Sequence, residues 1–271
     1  MATLVCFHAH PDDEPVTTGG TMARAAAEGH RVVLVVATDG SLGEIPDDLA
    51  GGETLVDRRR AETIRSAALL GVARIVWLGY RDSGMTGWPQ NDDPESLHRA
   101  PLDEAAKRLA AVLREEDAAV LTVYDWHGNY GHPDHIAVHR VGHRAAELAG
   151  TSKVFDATTN RHQIKEMMAL MAEPTADGAA RAAGPDFDPD APADDGNPFG
   201  MQASELTLAV DVSGYVGLKR QAVACHASQA TDVGMFLAMP AEVFAMAFST
   251  EWFVERGVTP APDGPSTGWL F

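Results

Sequence analysis

Between Leu4 and Asp156 the chain alternates short β-branched or apolar runs with longer helical patterns, and this alternation constrains the fold more than any other feature. Leu4 to Phe7 is an apolar run too short to be a helix. Thr18 to Glu28 reads as a helix stopped by Gly29, and Asp57 to Leu70 as another stopped by Gly71, glycine being the usual C-terminal stop. Between them, RVVLVVA from Arg31 to Ala37 is the continuous β-branched run that a strand buried on both faces needs. Ile75 to Leu78 and Ala118 to Val123 are two further strands, separated by a helix from Pro101 to Glu115. Pro133 to Leu148 is a helix that also has proline near its start, and Lys153 to Asp156 begins a fifth strand. Strand–helix units of these lengths predict a doubly wound α/β domain: a mostly parallel sheet, right-handed crossovers and helices on both faces.

Near Glu173 the pattern changes. Residues 173–200 are rich in Asp, Ala, Pro and Gly, with six aspartates against one arginine from Asp177 to Asp195, and read as an acidic, poorly ordered loop or lid. Structure resumes at Glu205 to Asp211 (ELTLAVD), which alternates like a half-exposed strand, followed by a helix from about Tyr215 to Cys225. The apolar, aromatic stretch from Met239 to Trp252 is expected to pack back on the body. The expected organisation is a core over 1–172, a lid over 173–200, and a segment over 201–271 that completes the same domain and the substrate pocket.

The whole chain carries 39 acidic against 21 basic residues, a formal charge of −18. Such a surface repels phosphate backbones and anionic lipid, so neither nucleic acid nor a membrane is expected as a partner. Two distant cysteines, Cys6 and Cys225, make neither a disulfide framework nor a cysteine zinc site. With no basic leader and no apolar run of spanning length, the chain reads as soluble and cytoplasmic. Nothing in the sequence sets an oligomeric state.

Two segments concentrate chemistry. His8-Ala9-His10-Pro11-Asp12-Asp13-Glu14 follows the first strand, and His127-Gly128-Asn129-Tyr130-Gly131-His132-Pro133-Asp134-His135 follows the fourth. In an open α/β sheet ligands bind beyond the carboxyl ends of the strands, where the strand order reverses. An order 3-2-1-4 brings both motifs into one crevice. A catalytic zinc takes three protein ligands and leaves a position for water. His10 and Asp13, at a strand-to-helix turn, can face one ion, with His135 as third ligand from across the crevice. Asp12 is then free to take a proton from the attacking water. His132 is expected to donate to the oxyanion or to protonate the departing nitrogen, with Asp134 holding its imidazole. A His/His/Asp site accepts Fe(II) or Co(II) as well as Zn(II).

HAHPDDE with a downstream GHPDH resembles the LmbE-like family of zinc deacetylases. That family includes N-acetylglucosaminyl-phosphatidylinositol deacetylases, mycothiol-pathway deacetylases and conjugate amidases, and deacetylases of glycosylated antibiotics. The resemblance spans about residues 3 to 150. It implies a Rossmann-like fold, removal of an N-acetyl or similar acyl group from a small amino-sugar substrate, and the roles just given for His10, Asp12, Asp13, His132 and His135. It further implies substrate contacts for Arg59 in RRRAE, Asp82 in YRDSGM, Tyr130, and His226 in CHASQ. Cleavage of a mycothiol-type S-conjugate is the alternative amide chemistry.

Other classes fit less well. A TIM-barrel amidohydrolase opens with His-x-His but needs eight strand–helix units. A metallo-β-lactamase order is broken by Pro11 and Asp13, and a phosphoesterase reading finds no phosphate-cradling glycine loop. A non-catalytic metal- or sugar-binding module has no use for a spare carboxylate at Asp12.

Overall fold

The computed structural model describes residues 1–172 and 187–271. The first part runs β1 (Thr3–His8), α1 (Asp13–Thr17), α2 (Gly19–Ala27), β2 (Arg31–Thr38), α3 (Leu55–Leu69) and β3 (Arg74–Tyr80). It continues through α4 (Leu102–Glu115), β4 (Ala118–Tyr124), α5 (Gly128–Gly131), α6 (Pro133–Ala149), β5 (Lys153–Thr158) and α7 (Arg161–Ala172). After residue 187 come β6 (Leu208–Asp211), α8 (Val216–Ala224), α9 (Ala230–Ala238), α10 (Ala241–Phe248), β7 (Thr250–Glu255) and β8 (Ser266–Thr267).

Among the described residues, eight strands form one sheet in the order β3-β2-β1-β4-β5-β7-β6-β8. The first five are parallel, as the alternation predicts, and β7 joins antiparallel to both β5 and β6. Alternate residues of each strand feed opposite layers. Val5 and Phe7 of β1 pack with Leu109 of α4 and Val138 of α6, whereas Leu4 and Cys6 pack with Met22 of α2 and Ala222 of α8. Helices therefore cover both faces. α3 starts on a reciprocal cap in which the Thr54 hydroxyl accepts from the Asp57 N–H and the Asp57 carboxylate accepts from the Thr54 N–H.

The second part differs from its sequence reading in two places. The ELTLAVD strand is confined to Leu208–Asp211 and is buried from Leu208 to Val210 rather than half-exposed, because it is flanked by β7 and β8. The apolar tail does return to the body, as α10 and then as β7, which is inserted between β5 and β6.

Of the acidic stretch, residues 173–186 lie outside the described residues. Residues 187–200 form turns tied to the body. The Asp194 N–H donates to the Tyr130 carbonyl at 3.1 Å and the Gly200 N–H to the Asn129 carbonyl at 2.7 Å. The Arg161 guanidinium donates to the carbonyls of Phe199 and Gly200, each at 2.7 Å. Among the described residues no single helix is long and apolar enough to cross a membrane.

Candidate active site

The chain leaves β1 toward β2 and β3, then returns on the other side as β4, so the strand order reverses between β1 and β4. The two histidine-rich motifs leave the carboxyl ends of these two strands and meet there. The backbone is forced to turn sharply in both. Asp12 has φ +123°, Asn129 +68°, Gly128 +69° and Gly131 +89°. At Gly128 a Cβ would lie 2.4 Å from the Cβ of His135, so only glycine lets the loop pass that close to α6.

Asp13 links the two motifs. One carboxylate oxygen lies 3.4 Å from His10 Nδ1 and the other 3.4 Å from His135 Nε2. The His10 N–H also donates to Asp13 Oδ2 at 2.7 Å, fixing the carboxylate. On its far side, His10 Nε2 is 3.2 Å from Asp134 Oδ2 and 3.6 Å from Asp82 Oδ1. The His132 ring stands 4.6 Å from that of His10, and His10, His132 and His135 offer nitrogens all within 4.8 Å of one another. His135 stacks on Tyr124 at 4.2 Å, and its Nε2 is 3.5 Å from the Tyr130 hydroxyl.

Charge in this centre is tightly constrained. Burial opposes protonation of His10, but Asp82, Asp13 and Asp134 together raise it well above the ordinary imidazole value. Burial would lift Asp13, yet His135 and His10 hold it well below the carboxylate range. The reverse holds for Asp12, where burial wins over the Arg59 guanidinium and pushes the carboxyl up to about 6. Burial, then repulsion from His10 and His135, drives His132 far down, so it is neutral. Burial and the Asp13 charge keep the Tyr130 hydroxyl protonated. A buried group of carboxylates that draws this much positive charge, around imidazoles whose nitrogens converge, fits a divalent cation. His135 Nδ1 is buried without a hydrogen-bond partner, which fits the same conclusion.

The structure corrects three expected contacts. The Asp134 carboxylate does not hold the His132 imidazole. It accepts from the Ser83 N–H at 2.9 Å and from the Ser83 hydroxyl, and faces His10. His132 is fixed instead by the backbone, its Nδ1 accepting the Asp134 N–H at 3.1 Å as the cap of α6. His226 does not line an open pocket. It is 1% exposed and its Nε2 is 2.8 Å from Glu14 Oε1, because the turn before α9 is covered by α1 and α3. Arg59 is 3% exposed and engaged within the protein, donating to Asp12 Oδ2 at 2.9 Å, to the Pro11 carbonyl at 2.6 Å and to the Gly40 carbonyl at 2.7 Å.

Asp82 and Tyr130 do stand in the centre, Asp82 held by N–H groups of Gly84 at 2.9 Å and Leu42 at 3.3 Å. Sequence reasoning missed Ser83, Glu14 and Tyr124. The first two lie inside the quoted motifs, but a serine or glutamate there shows no partner until the distant chain is in place. Glu14 accepts from the Asp12 N–H at 3.0 Å and from the Ser66 hydroxyl at 2.7 Å.

A doubly wound sheet with imidazoles and carboxylates converging at its switch point defines an α/β enzyme of the metal-centre class. The profile of the PIG-L family, GlcNAc-PI de-N-acetylase, matches residues 5–146. The 1D-myo-inositol 2-acetamido-2-deoxy-α-D-glucopyranoside deacetylase of Thermomonospora curvata is 36% identical, over 97% of this chain and 92% of its own length. That of Streptomyces griseus is 38% identical, over 99% of this chain and 88% of its own. Among solved structures, the N,N'-diacetylchitobiose deacetylase of Pyrococcus horikoshii superposes with a TM-score of 0.56 and 26% identity, covering 96% of this chain and 88% of that one. The chain belongs to the GlcNAc-PI de-N-acetylase family, the one called LmbE-like above.

Proposed function

We propose that this protein hydrolyses the acetamide of an N-acetylated amino sugar, with an N-acetylglucosamine joined to inositol as its preferred substrate class. The observation that carries the reading is the pairing of adjacent carboxylates with opposite environments. Asp13 is held ionised between His10 and His135, and Asp12 is raised to about 6 next to it. Two neighbouring carboxylates driven apart in this way divide into a ligand and a base. His10, Asp13 and His135 would hold the ion, with Asp134 as the acceptor that orients His10. Zinc suits this donor set, and Fe(II) or Co(II) also do. When bound, the cation supplies Lewis-acid polarisation of the acyl carbonyl and brings the pKa of water to about 7.

The chain's own groups divide the remaining work. Asp12 accepts the proton of the attacking water. With Nδ1 already accepting from Asp134, neutral His132 carries its proton on Nε2 and offers it as a hydrogen bond to the carbonyl oxygen as negative charge develops there. Tyr130, protonated, is a second donor for that oxygen. Since His132 is neutral, the proton that the departing amine needs returns from Asp12, whose raised value suits both acceptance and release. Arg59 holds Asp12 in place, and Asp82 stands at His10, so a sugar hydroxyl held by Asp82 would lie against the reacting carbonyl.

The test is direct. The zinc-loaded protein is incubated with inositol-linked N-acetylglucosamine, free N-acetylglucosamine and diacetylchitobiose, and loss of acetyl is followed by mass spectrometry. Release from the inositol-linked compound ahead of the others is expected. No acetyl loss from any of them by fully loaded protein would overturn the proposal.

A further inference from the structure

A second grouping of ligand chemistry lies outside this centre and takes no part in the mechanism above. Helix α6 carries His139 and His143, four residues apart and therefore on one face, and β5 beneath it presents Asp156. His143 Nε2 is 2.7 Å from Asp156 Oδ1, and His139 Nδ1 is 3.7 Å from Asp156 Oδ2. The two rings are 4.4 Å apart. All three side chains offer ligand atoms within 4.8 Å of one another. They sit one and two turns beyond His135, about 6 and 12 Å along the helix axis.

We propose that His139, His143 and Asp156 form a second divalent transition-metal site that clamps α6 to β5. Two imidazoles four residues apart on a helix are a recurrent ligand spacing, and a carboxylate from a neighbouring element completes a three-ligand set with room for water. The donors of a tetrahedral zinc site stand roughly 3.3 Å apart. The 2.7 Å His143–Asp156 pair needs to open only by a fraction of an ångström to reach that span. The three side chains are only partly exposed, at 20%, 23% and 13%, so an ion can enter from solvent while its ligands stay fixed. His139 donates its Nδ1–H to the Tyr124 carbonyl at 2.9 Å, which leaves the lone pair on Nε2. Burial also holds His139 below the usual imidazole range, so it is neutral and able to ligate at neutral pH. His143 alone satisfies Asp156 as a hydrogen-bond acceptor, and the Tyr124 carbonyl takes only one nitrogen of His139, so its Nε2 is left for a ligand.

Ion content per chain is measured by plasma mass spectrometry after stripping with a chelator and dialysis against Zn²⁺ at neutral pH. Unmodified protein should hold about two ions, His143→Gln about one, and His135→Ala about one. His143→Gln keeps an N–H donor for Asp156 and so should leave both the fold and amide hydrolysis intact. Because the two sites are emptied separately, failure of one reading is distinguishable from failure of the other. In unmodified protein, the ring NMR signals of His139 and His143 should shift together as Zn²⁺ is added, a readout that needs no variant to fold. His143→Gln binding as many ions as the unmodified protein, or ring signals unmoved by excess Zn²⁺, would overturn the proposal.

Discussion

Asp12 combines a strained backbone with a displaced proton affinity, and both follow from its place in the turn after β1. Its φ of +123° is rare for a side-chain-bearing residue, and conformations of this kind typically hold 1–3 kcal/mol of strain. Glu14 accepting the Asp12 N–H and Arg59 pairing with its carboxylate keep it there. With the carboxyl at about 6, the base is protonated and idle below that pH and active above it, so turnover should rise through about pH 6. Asp12→Asn should cut turnover by about 10²–10⁴-fold with metal content and KM little changed, and should flatten that acidic limb. A variant that keeps most of its turnover would remove Asp12 from the mechanism. Asp134 is checked through the metal: Asp134→Ala should weaken zinc binding by about 10–100-fold in a competition titration, because His10 loses the acceptor for its second nitrogen. The positions of His10, Asp13 and His135 were legible in the sequence because two spaced motifs at strand ends left few other arrangements. The partner of Asp134 was not, since Ser83 is 51 residues away and only the fold brings it there.

Strands and helices were readable to the extent that one local pattern decided them. β2 announces itself in RVVLVVA because both of its faces are covered, and α6 through its proline start. β6 was misjudged because alternation in ELTLAVD measures residue type, whereas burial depends on β7 and β8, which come later. The start of α2 was legible to within a residue, but what caps it was not, for a similar reason. Its Gly20 and Thr21 N–H groups donate to the Glu251 carboxylate of β7, each at 2.8 Å, and Lys219 of α8 pairs with the same carboxylate at 2.6 Å, all of them buried. Removing one partner of a buried ion pair leaves the other uncompensated, so Lys219→Met should destabilise the fold by about 3 kcal/mol in urea denaturation. A loss below half of that would mean that the backbone donors alone satisfy Glu251.

For the whole molecule, the proposed metal centre would tie the turn after β1 and α1 to α6, so an ion bound there is expected to stabilise the fold as well as serve the reaction. At about 100 times its dissociation constant a ligand adds about 2.7 kcal/mol, which for a chain of this size is roughly 5–10 °C in Tm. Scanning calorimetry with and without chelator measures this, and an unchanged Tm would separate the centre from the stability of the fold. The position of β7 carries a consequence for the order in which the protein is made. The strand that lies between β5 and β6 leaves the ribosome after both of them, and the carboxylate that caps α2 is synthesised some 230 residues after the amides it receives. Until residue 255 is free, β5 presents an open edge and β6 has no strand to pair with on that side. The first five strands can therefore assemble during synthesis, but the sheet closes only in its last stage, and a nascent chain stalled before Thr250 is the species most exposed to edge-to-edge aggregation.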